Sequence, residues 1–120
     1  MKRKNLSDVE YKAIERGATI VIKNWLRLKP WERLVIVTSE NYLTEANMLK
    51  ACASKRALSV DLMVVEEKGK RIGDFFDRHE GVFDEYKAVI GATEYSLVTT
   101  KAVKRTIKRG NKFLSLPLST

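Results

Sequence analysis

The chain is 120 residues long, with 44% hydrophobic and 32% charged residues, which is the profile of one globular domain and excludes a disordered or fibrous chain. No apolar run reaches the roughly 18 residues that a membrane span needs, and a single cysteine excludes an internal disulfide. We therefore expect a cytoplasmic protein without membrane contact, and a flexible basic N-terminus at residues 1–6.

The net charge of +8 comes from two segments of the sequence. Nine of the 23 lysines and arginines lie in 2–4 and 101–112, and the other basic residues nearly balance the 15 acidic ones. The excess positive charge therefore belongs to the N-terminus and to one segment near the C-terminus, and not to the whole surface.

Residues 7–28 form the first predicted helix. The helix opens on a capping box, Ser7 and Glu10, and carries an apolar stripe at helical spacing that includes Trp25. Pro30 ends it, because the residue before a proline is pushed out of the helical region. If the stripe buries Trp25, replacing it with alanine should cost about 3 kcal/mol.

Strands and helices then alternate to the end of the chain. The predicted strands are short apolar runs rich in β-branched residues, and the predicted helices carry one apolar face. Gly110 stands just after the last helix, where a left-handed residue commonly ends one. The strands are expected at 34–37, 60–65, 88–92 and 112–116, and the helices between them at 42–57, 72–83 and 99–109.

This alternation predicts the fold class α/β. We expect one domain over 1–120, with a parallel sheet of about four strands flanked by helices in a Rossmann-like or flavodoxin-like three-layer arrangement. The pattern leaves the strand order open. The sequence ends at 117–120 directly after a strand, which leads us to expect the N-terminal domain of a longer protein.

Polar residues follow the first and third predicted strands. Ser39, Glu40 and Asn41 follow the first, and Thr93 and Glu94 follow the third. Ligands of open α/β sheets bind beyond the carboxyl ends of the strands, so these residues form a candidate small-molecule pocket. The alternative is that Ser39 and Asn41 only close a turn and cap the next helix. The first strand-to-helix turn has no glycine, so no dinucleotide cofactor is expected.

The residue types that build metal and nucleophile sites are scarce. The one histidine, His79, lies on the apolar face of the third helix beside Phe75 and Phe76, which is typical of a core or boundary histidine. Cys52 lies among alanines, which indicates packing as a small apolar residue. We therefore expect no catalytic residue, metal ligand or cofactor site within this chain.

The fourth helix carries a basic face. Its residues follow the spacing i, i+3, i+4, i+7 and i+8, so they share one side of the helix. Such a face could lie along a phosphate backbone and make the chain a small nucleic-acid-binding module. The alternative, which we favour, is a solvated outer face, because no aromatic residue stands between the basic ones to stack on bases. The basic face consists of Lys101, Lys104, Arg105, Lys108 and Arg109.

Two stretches, 28–38 (LKPWERLVIVT) and 96–117 (SLVTTKAVKR to SLP), carry a family likeness. The first resembles the opening strand of the aminopeptidase T family of thermophilic metallo-aminopeptidases, in which leucine and "kpGE" precede Arg or Lys and an apolar strand. Trp31 stands where that family commonly has glycine. The second is similar to the family's "SLTHTKAR…G-R…SMPG" segment, with Val98 and Thr99 near its Thr-His and Leu118 in place of its last glycine.

The resemblance implies a non-catalytic N-terminal α/β domain of a two-domain metalloprotein, which shapes substrate access or the subunit interface. In that family Glu, His and Asp residues of the C-terminal domain bind two divalent metals, so the metal and the hydrolase activity are expected in the parent and not in this chain. The family's scaffold also supports a ring-cleaving iron dioxygenase, which leaves the parent's reaction open. The expected partner is the missing C-terminal domain or a second subunit.

Overall fold

The computed structural model describes residues 8–66, 71–94 and 96–116. A π-helical turn, Val21–Leu26, extends the first helix, and a 3₁₀ turn, Glu40–Tyr42, leads into the second. The α-helices are α1 (Asp8–Ile20), α2 (Leu43–Ala53), α3 (Arg71–Arg78) and α4 (Lys101–Lys108), and the strands are β1 (Arg33–Thr38), β2 (Ser59–Val64), β3 (Ala88–Ala92) and β4 (Lys112–Ser115).

The four strands form one parallel sheet in the order β2-β1-β3-β4. Parallel neighbours need long crossover connections, and α2, α3 and α4 supply them. Side chains of α1 and α2 pack on one face of the sheet, and side chains of α3 and α4 pack on the other. The predicted three-layer α/β fold is confirmed.

The centre of the sheet is β1, which is covered on both faces. Leu34 and Ile36 belong to the cluster under α1 and α2, whereas Val35 and Val37 belong to the cluster under α3 and α4. All four are fully buried. A strand buried on both faces must be apolar at successive positions, which is why this strand is visible in the sequence as a continuous apolar run.

The buried face of the first helix differs from the predicted stripe. Ile22 is buried, but Trp25 is 67% exposed and Leu26 takes its place in the core. The π-helical turn holds more residues per turn than an α-helix, so Ala18, Ile22 and Leu26 line up and Trp25 is rotated outward. The predicted burial of Trp25 is therefore wrong, and its replacement by alanine should change stability by less than about 0.5 kcal/mol.

The first helix also ends earlier than Pro30 predicts. Arg27 adopts a left-handed conformation with φ of 48° and ends the helical segment. Pro30 and Trp31 instead form the tip of a turn. In this turn the Glu32 N–H donates to the Lys29 carbonyl over 3.0 Å, and the Lys29 N–H donates to the Glu32 carboxylate over 2.7 Å.

The ends of α4 follow local sequence signals. The predicted left-handed role of Gly110 is confirmed by its φ of 83°. The Thr100 hydroxyl caps the helix by accepting a hydrogen bond from the Val103 N–H over 3.4 Å. The helix therefore begins at Lys101, two residues after the predicted start at 99. The predicted capping residue Ser7, the predicted flexible segment 1–6, and 117–120 lie outside the described residues.

The third helix is shorter than the predicted 72–83. Phe76 and Phe83 are buried and stack with ring centroids 5.4 Å apart, as the apolar face predicts. Phe75 and His79, however, are exposed, and their ring centroids lie 4.5 Å apart. The expectation that His79 is a core or boundary residue is wrong, because His79 lies one helical turn after Phe75 on a side of the helix that faces solvent, and its N–H still donates to the Phe75 carbonyl over 3.0 Å.

Candidate functional site

The strand order determines which loops meet at the carboxyl ends of the strands, here named the carboxyl edge. The chain leaves β1 towards β2 on one side and leaves β3 towards β4 on the other, so strand order reverses between β1 and β3. Thr38 pairs with Ala92 at the ends of these two strands. The structure therefore brings the two predicted groups together at the switch point, since Ser39–Asn41 and Thr93–Glu94 follow directly.

Two adjacent hydroxyls at the end of β1 face opposite sides of the sheet. Thr38 is fully buried, and its hydroxyl donates to the Ala92 carbonyl over 2.9 Å, which ties β1 to β3. Ser39 has extended backbone angles, φ −120° and ψ 170°, so the alternation of β1 continues through it. Its side chain therefore lies on the same side as Val35 and Val37, towards α3 and α4.

The Ser39 hydroxyl is the unusual group of this edge. Ser39 is 5% exposed, and among the described residues its Oγ has no hydrogen-bond partner. Leaving a buried polar group unsatisfied costs about 1–3 kcal/mol. Ser39 precedes the helical segment that leads into α2, yet its side chain makes no capping bond, and only its carbonyl accepts from the Tyr42 N–H over 3.0 Å. The alternative capping role of Ser39 is therefore wrong.

The other predicted pocket residues follow β1 and β3 at the same edge of the sheet. Thr93 is also 5% exposed and follows β3 at the position that matches Ser39 after β1. Glu40 and Glu94 are exposed, and Asn41 is partly exposed. The edge thus combines buried hydroxyls with exposed carboxylates, on a chain whose net charge is +8.

The predicted basic face is exposed on α4 and just after it, but an acidic residue divides it. Asp84 receives Arg105 Nε on Oδ1 and Arg105 Nη2 on Oδ2, each at 2.8 Å, and Arg109 Nη1 lies 2.8 Å from Oδ1. The hydrogen bonds from Arg105, helped by the positive charge of Arg109, lower the pKa of Asp84. The hydrogen bonds to Asp84 and its negative charge raise the pKa of Arg105. The remaining basic residues of the face are Lys101, Lys104 and Lys108.

A second feature, which sequence reasoning missed, is a cleft of about 480 Å³ at the amino ends of the strands, here named the amino edge. Trp31 stands at its rim and is 71% exposed. A large aromatic side chain at the tip of a turn beside Pro30 was the available signal for this surface. The cleft is lined by Trp31, Glu32, Arg33, Asp84, Glu85, Tyr86, Lys87, Arg109 and Asn111.

Polar bonds hold the floor of this cleft in place. The Tyr86 hydroxyl donates to the Asp61 carboxylate, and burial, followed by this bond, raises the pKa of Tyr86 above its ordinary value. The phenol therefore stays protonated and remains a donor. Arg33 Nη1 lies 3.6 Å from Glu85 Oε2, an exposed pair that contributes little to stability.

Cys52 lies beside a groove of about 510 Å³ between α1 and α2. The thiol is partly buried, packs against the core cluster under these helices, and lies 3.6 Å from the Thr19 hydroxyl. This agrees with the predicted packing role of Cys52.

Within 8–66, 71–94 and 96–116, no three His, Cys, Asp or Glu side chains come together as a metal site. In the same ranges no helix has both the length and the apolar character needed to cross a membrane. No protein-family model matches the sequence, and no curated protein matches it significantly.

Proposed function

We propose that this chain is the non-catalytic N-terminal α/β domain of an aminopeptidase-T-like metalloprotein, and that its amino edge packs against the metal-binding domain of that protein. The proposal rests on one observation: the two stretches that resemble the family, 28–38 and 96–117, come together at this edge of the sheet. Residues 28–38 supply Trp31 and Arg33 to the amino-edge cleft, and residues 96–117 supply Arg109. Segments separated in sequence by residues 39–95 thus contribute to one surface.

The composition of this surface supports a protein partner. Tryptophan, tyrosine and arginine are the residue types that most often dominate binding energy at protein interfaces. Trp31 presents most of its ring to solvent, whereas Tyr86 and Arg109 are held by their bonds to Asp61 and Asp84. A surface whose charged groups are already positioned loses less entropy on binding. In this proposal the divalent metal and the hydrolytic chemistry belong to the partner domain.

The reading frame beyond Thr120 provides the first test. We expect it to encode a domain rich in Glu, His and Asp ligands for two metals. The second test uses the fact that the chain has two tryptophans. In a Trp25→Phe background, Trp31 is the one tryptophan of this chain. Acrylamide quenching of its fluorescence should be strong in the 120-residue chain and severalfold weaker once the partner domain is attached.

The matched control keeps Trp25 and removes the other ring through Trp31→Phe. The fluorescence of tryptophans in the partner domain is measured in the double variant Trp25→Phe/Trp31→Phe of the long protein and subtracted, or these tryptophans are replaced. Equal quenching of Trp31 in the short and long proteins contradicts the proposed packing. If quenching of Trp31 weakens as the concentration of the 120-residue chain alone is raised, and light scattering gives the mass of a dimer, the amino edge binds a second copy of this chain instead.

The nucleic-acid alternative is less well supported, because Asp84 binds two of the five basic residues. Five phosphate contacts on duplex DNA would give a salt slope of about −4, whereas three lysines give about −3 at most. Asp84→Ala releases both arginines, so it should strengthen binding if the face contacts phosphates. Fluorescence anisotropy between about 50 and 200 mM salt, with Lys104→Glu/Arg105→Glu as the negative control, measures this. We expect weak, non-saturating association in every case.

A further inference from the structure

The cleft at the amino edge contains one positive charge that the chain itself does not pair. The other charged residues of its lining each have a polar contact within the chain: Asp84 with Arg109, Glu85 with Arg33, and Glu32 with the Lys29 N–H. The exception is Lys87, whose ammonium group no ion pair or hydrogen bond joins to another described residue. Its side chain is exposed, so this charge is accessible to a partner.

The backbone holds Lys87 in the middle of this edge. Its N–H donates to the Arg33 carbonyl over 2.9 Å, and its carbonyl accepts from the Lys112 N–H over 3.0 Å. Lys87 directly precedes β3, which lies between β1 and β4 in the sheet. The unpaired charge therefore starts from a fixed position in the cleft, which lowers the entropy lost when a partner binds it.

Two further groups that line the same cleft are open to a partner. Trp31 presents most of its ring to solvent at the rim. Asn111 is partly exposed, and its side-chain amide has no hydrogen bond to another described residue. The cleft of about 480 Å³ thus combines an aromatic face with the N–H donors of an indole, an amide and an ammonium group.

These groups favour an acidic partner that also carries apolar side chains. An ammonium group donates and cannot accept, so a carboxylate complements it, and the net charge of +8 adds to the attraction. The Trp31 ring suits an apolar side chain. A phosphate backbone fits less well, because the carboxylates of Glu32, Asp84 and Glu85 line the same cleft and repel a run of phosphates.

We propose that the amino-edge cleft binds an acidic and apolar segment of a protein, with a carboxylate of the partner on the Lys87 ammonium group and an apolar side chain of the partner on the Trp31 ring. The Asn111 amide supplies a second donor to the carboxylate. This inference rests on the proposed function, in which the amino edge packs against the metal-binding domain, and it specifies the side chains which that domain presents.

The experiment is a titration of the ¹⁵N-labelled 120-residue chain with a blocked pentapeptide that alternates leucine and glutamate. The same peptide with glutamine removes the negative charge, and the same peptide with lysine reverses it. We expect saturable shifts at the Trp31 indole N–H and at the Lys87 and Asn111 amides. The glutamate peptide should bind about fivefold more tightly than the glutamine peptide, the ratio that an exposed ion pair supplies, and the lysine peptide most weakly.

Variants of the chain assign this preference to one charge. Lys87→Met removes the ammonium group and keeps most of the apolar stem, so the chain should stay folded and bind the glutamate and glutamine peptides equally. Lys104→Met is the matched control, because it removes the same charge at an exposed site outside the cleft and should leave the fivefold ratio unchanged. Trp31→Ala should weaken both peptides and keep their ratio.

Several results would overturn the proposal. They are equal binding of the glutamate and glutamine peptides, tighter binding of the lysine peptide or of a short single-stranded oligonucleotide at the cleft, and the absence of any saturable shift. A ratio that survives in Lys87→Met, or that Lys104→Met also abolishes, would do the same. Because this titration uses the 120-residue chain alone and the quenching comparison uses the long protein, the packing of the two domains and the preference for acid are tested separately.

Discussion

At the carboxyl edge of the sheet Ser39 and Thr93 are almost completely buried, whereas at the amino edge Trp31 presents most of its ring to solvent. The two edges thus invert the usual distribution of polar and apolar groups. At the carboxyl edge Ser39 leads directly into the 3₁₀ turn Glu40–Tyr42, so it lies between β1 and a helical segment. At the amino edge short turns lead into the strands, and a ring at the tip of a turn has nothing to pack on.

This difference separates a packed edge from an open edge on one scaffold. An open surface with an exposed tryptophan suits a protein partner, which is the occupant proposed for the amino edge. Both edges depend on the same central strands, β1 and β3. Changes in the shared core should therefore affect both edges together, and changes at one edge should leave the other unaltered.

The largest expected effect is that of Phe76→Ala, which empties a buried site next to Phe83 and should lower the free energy of unfolding by about 3–5 kcal/mol. Phe75→Ala is the control, because Phe75 is 40% exposed and its loss should cost about 1 kcal/mol. Denaturant unfolding followed by circular dichroism measures both variants.

Amide hydrogen exchange tells whether Phe76→Ala loosens both edges. The Leu58 N–H donates to the Glu32 carbonyl at the amino edge, and the Val65 N–H donates to the Thr38 carbonyl at the carboxyl edge. If one cooperative core supports both, the two amides lose protection in the variant. Loss of protection at one edge alone would contradict a single cooperative core, because the two edges would then belong to different folding units.

The next effect concerns the two adjacent hydroxyls of the carboxyl edge. Thr38→Val removes the bond to the Ala92 carbonyl and should destabilise the chain by about 1 kcal/mol. Ser39→Ala removes a buried hydroxyl without a partner among the described residues, so it should be neutral or stabilising by up to about 1 kcal/mol. Chemical denaturation of both variants compares them. A larger loss for Ser39→Ala than for Thr38→Val would mean that the folded domain itself uses the Ser39 hydroxyl.

The smallest effect belongs to the amino edge. Hydrogen bonds from Arg105 lower the pKa of Asp84 in the folded chain, so ionised Asp84 stabilises the fold above its ordinary pKa of 3.8 and this contribution disappears as the pH falls below the lowered value. The difference in melting temperature between the unmodified chain and Asp84→Asn should therefore be constant near neutral pH and close below about pH 4.

Glu85→Gln is the control for this titration, because Glu85 lies in the same cleft but meets Arg33 over a longer and exposed 3.6 Å contact. Its melting-temperature difference should be the smaller of the two near neutral pH. Because the Asp84 pairs are accessible to solvent, added salt should shrink the Asp84→Asn difference as well. A difference that grows as the pH falls would contradict the assigned sign.

The sequence predicted β3 with the bounds that the structure has, and it predicted the end of α4 at Gly110, because burial on both faces and a left-handed residue leave strong local patterns. It misplaced Trp25 and His79 for a local reason as well. For Trp25 the stripe assumed α-helical geometry, which the π turn before Arg27 breaks. For His79 the predicted apolar face was too wide, because Phe75 and His79 lie on the exposed side of the helix and the neighbouring Phe76 is buried.

By itself the sequence therefore determined the α/β class, the strands and the identity of the polar residues after them, since all of these follow from the order of neighbouring residues. Only the tertiary structure decided that β1 lies beside β3, that Ser39 is buried without a partner, and that Asp84 binds Arg105 and Arg109 across more than 20 residues. Such contacts join residues distant in sequence, and the periodicity of one segment contains no information about which other segment it meets.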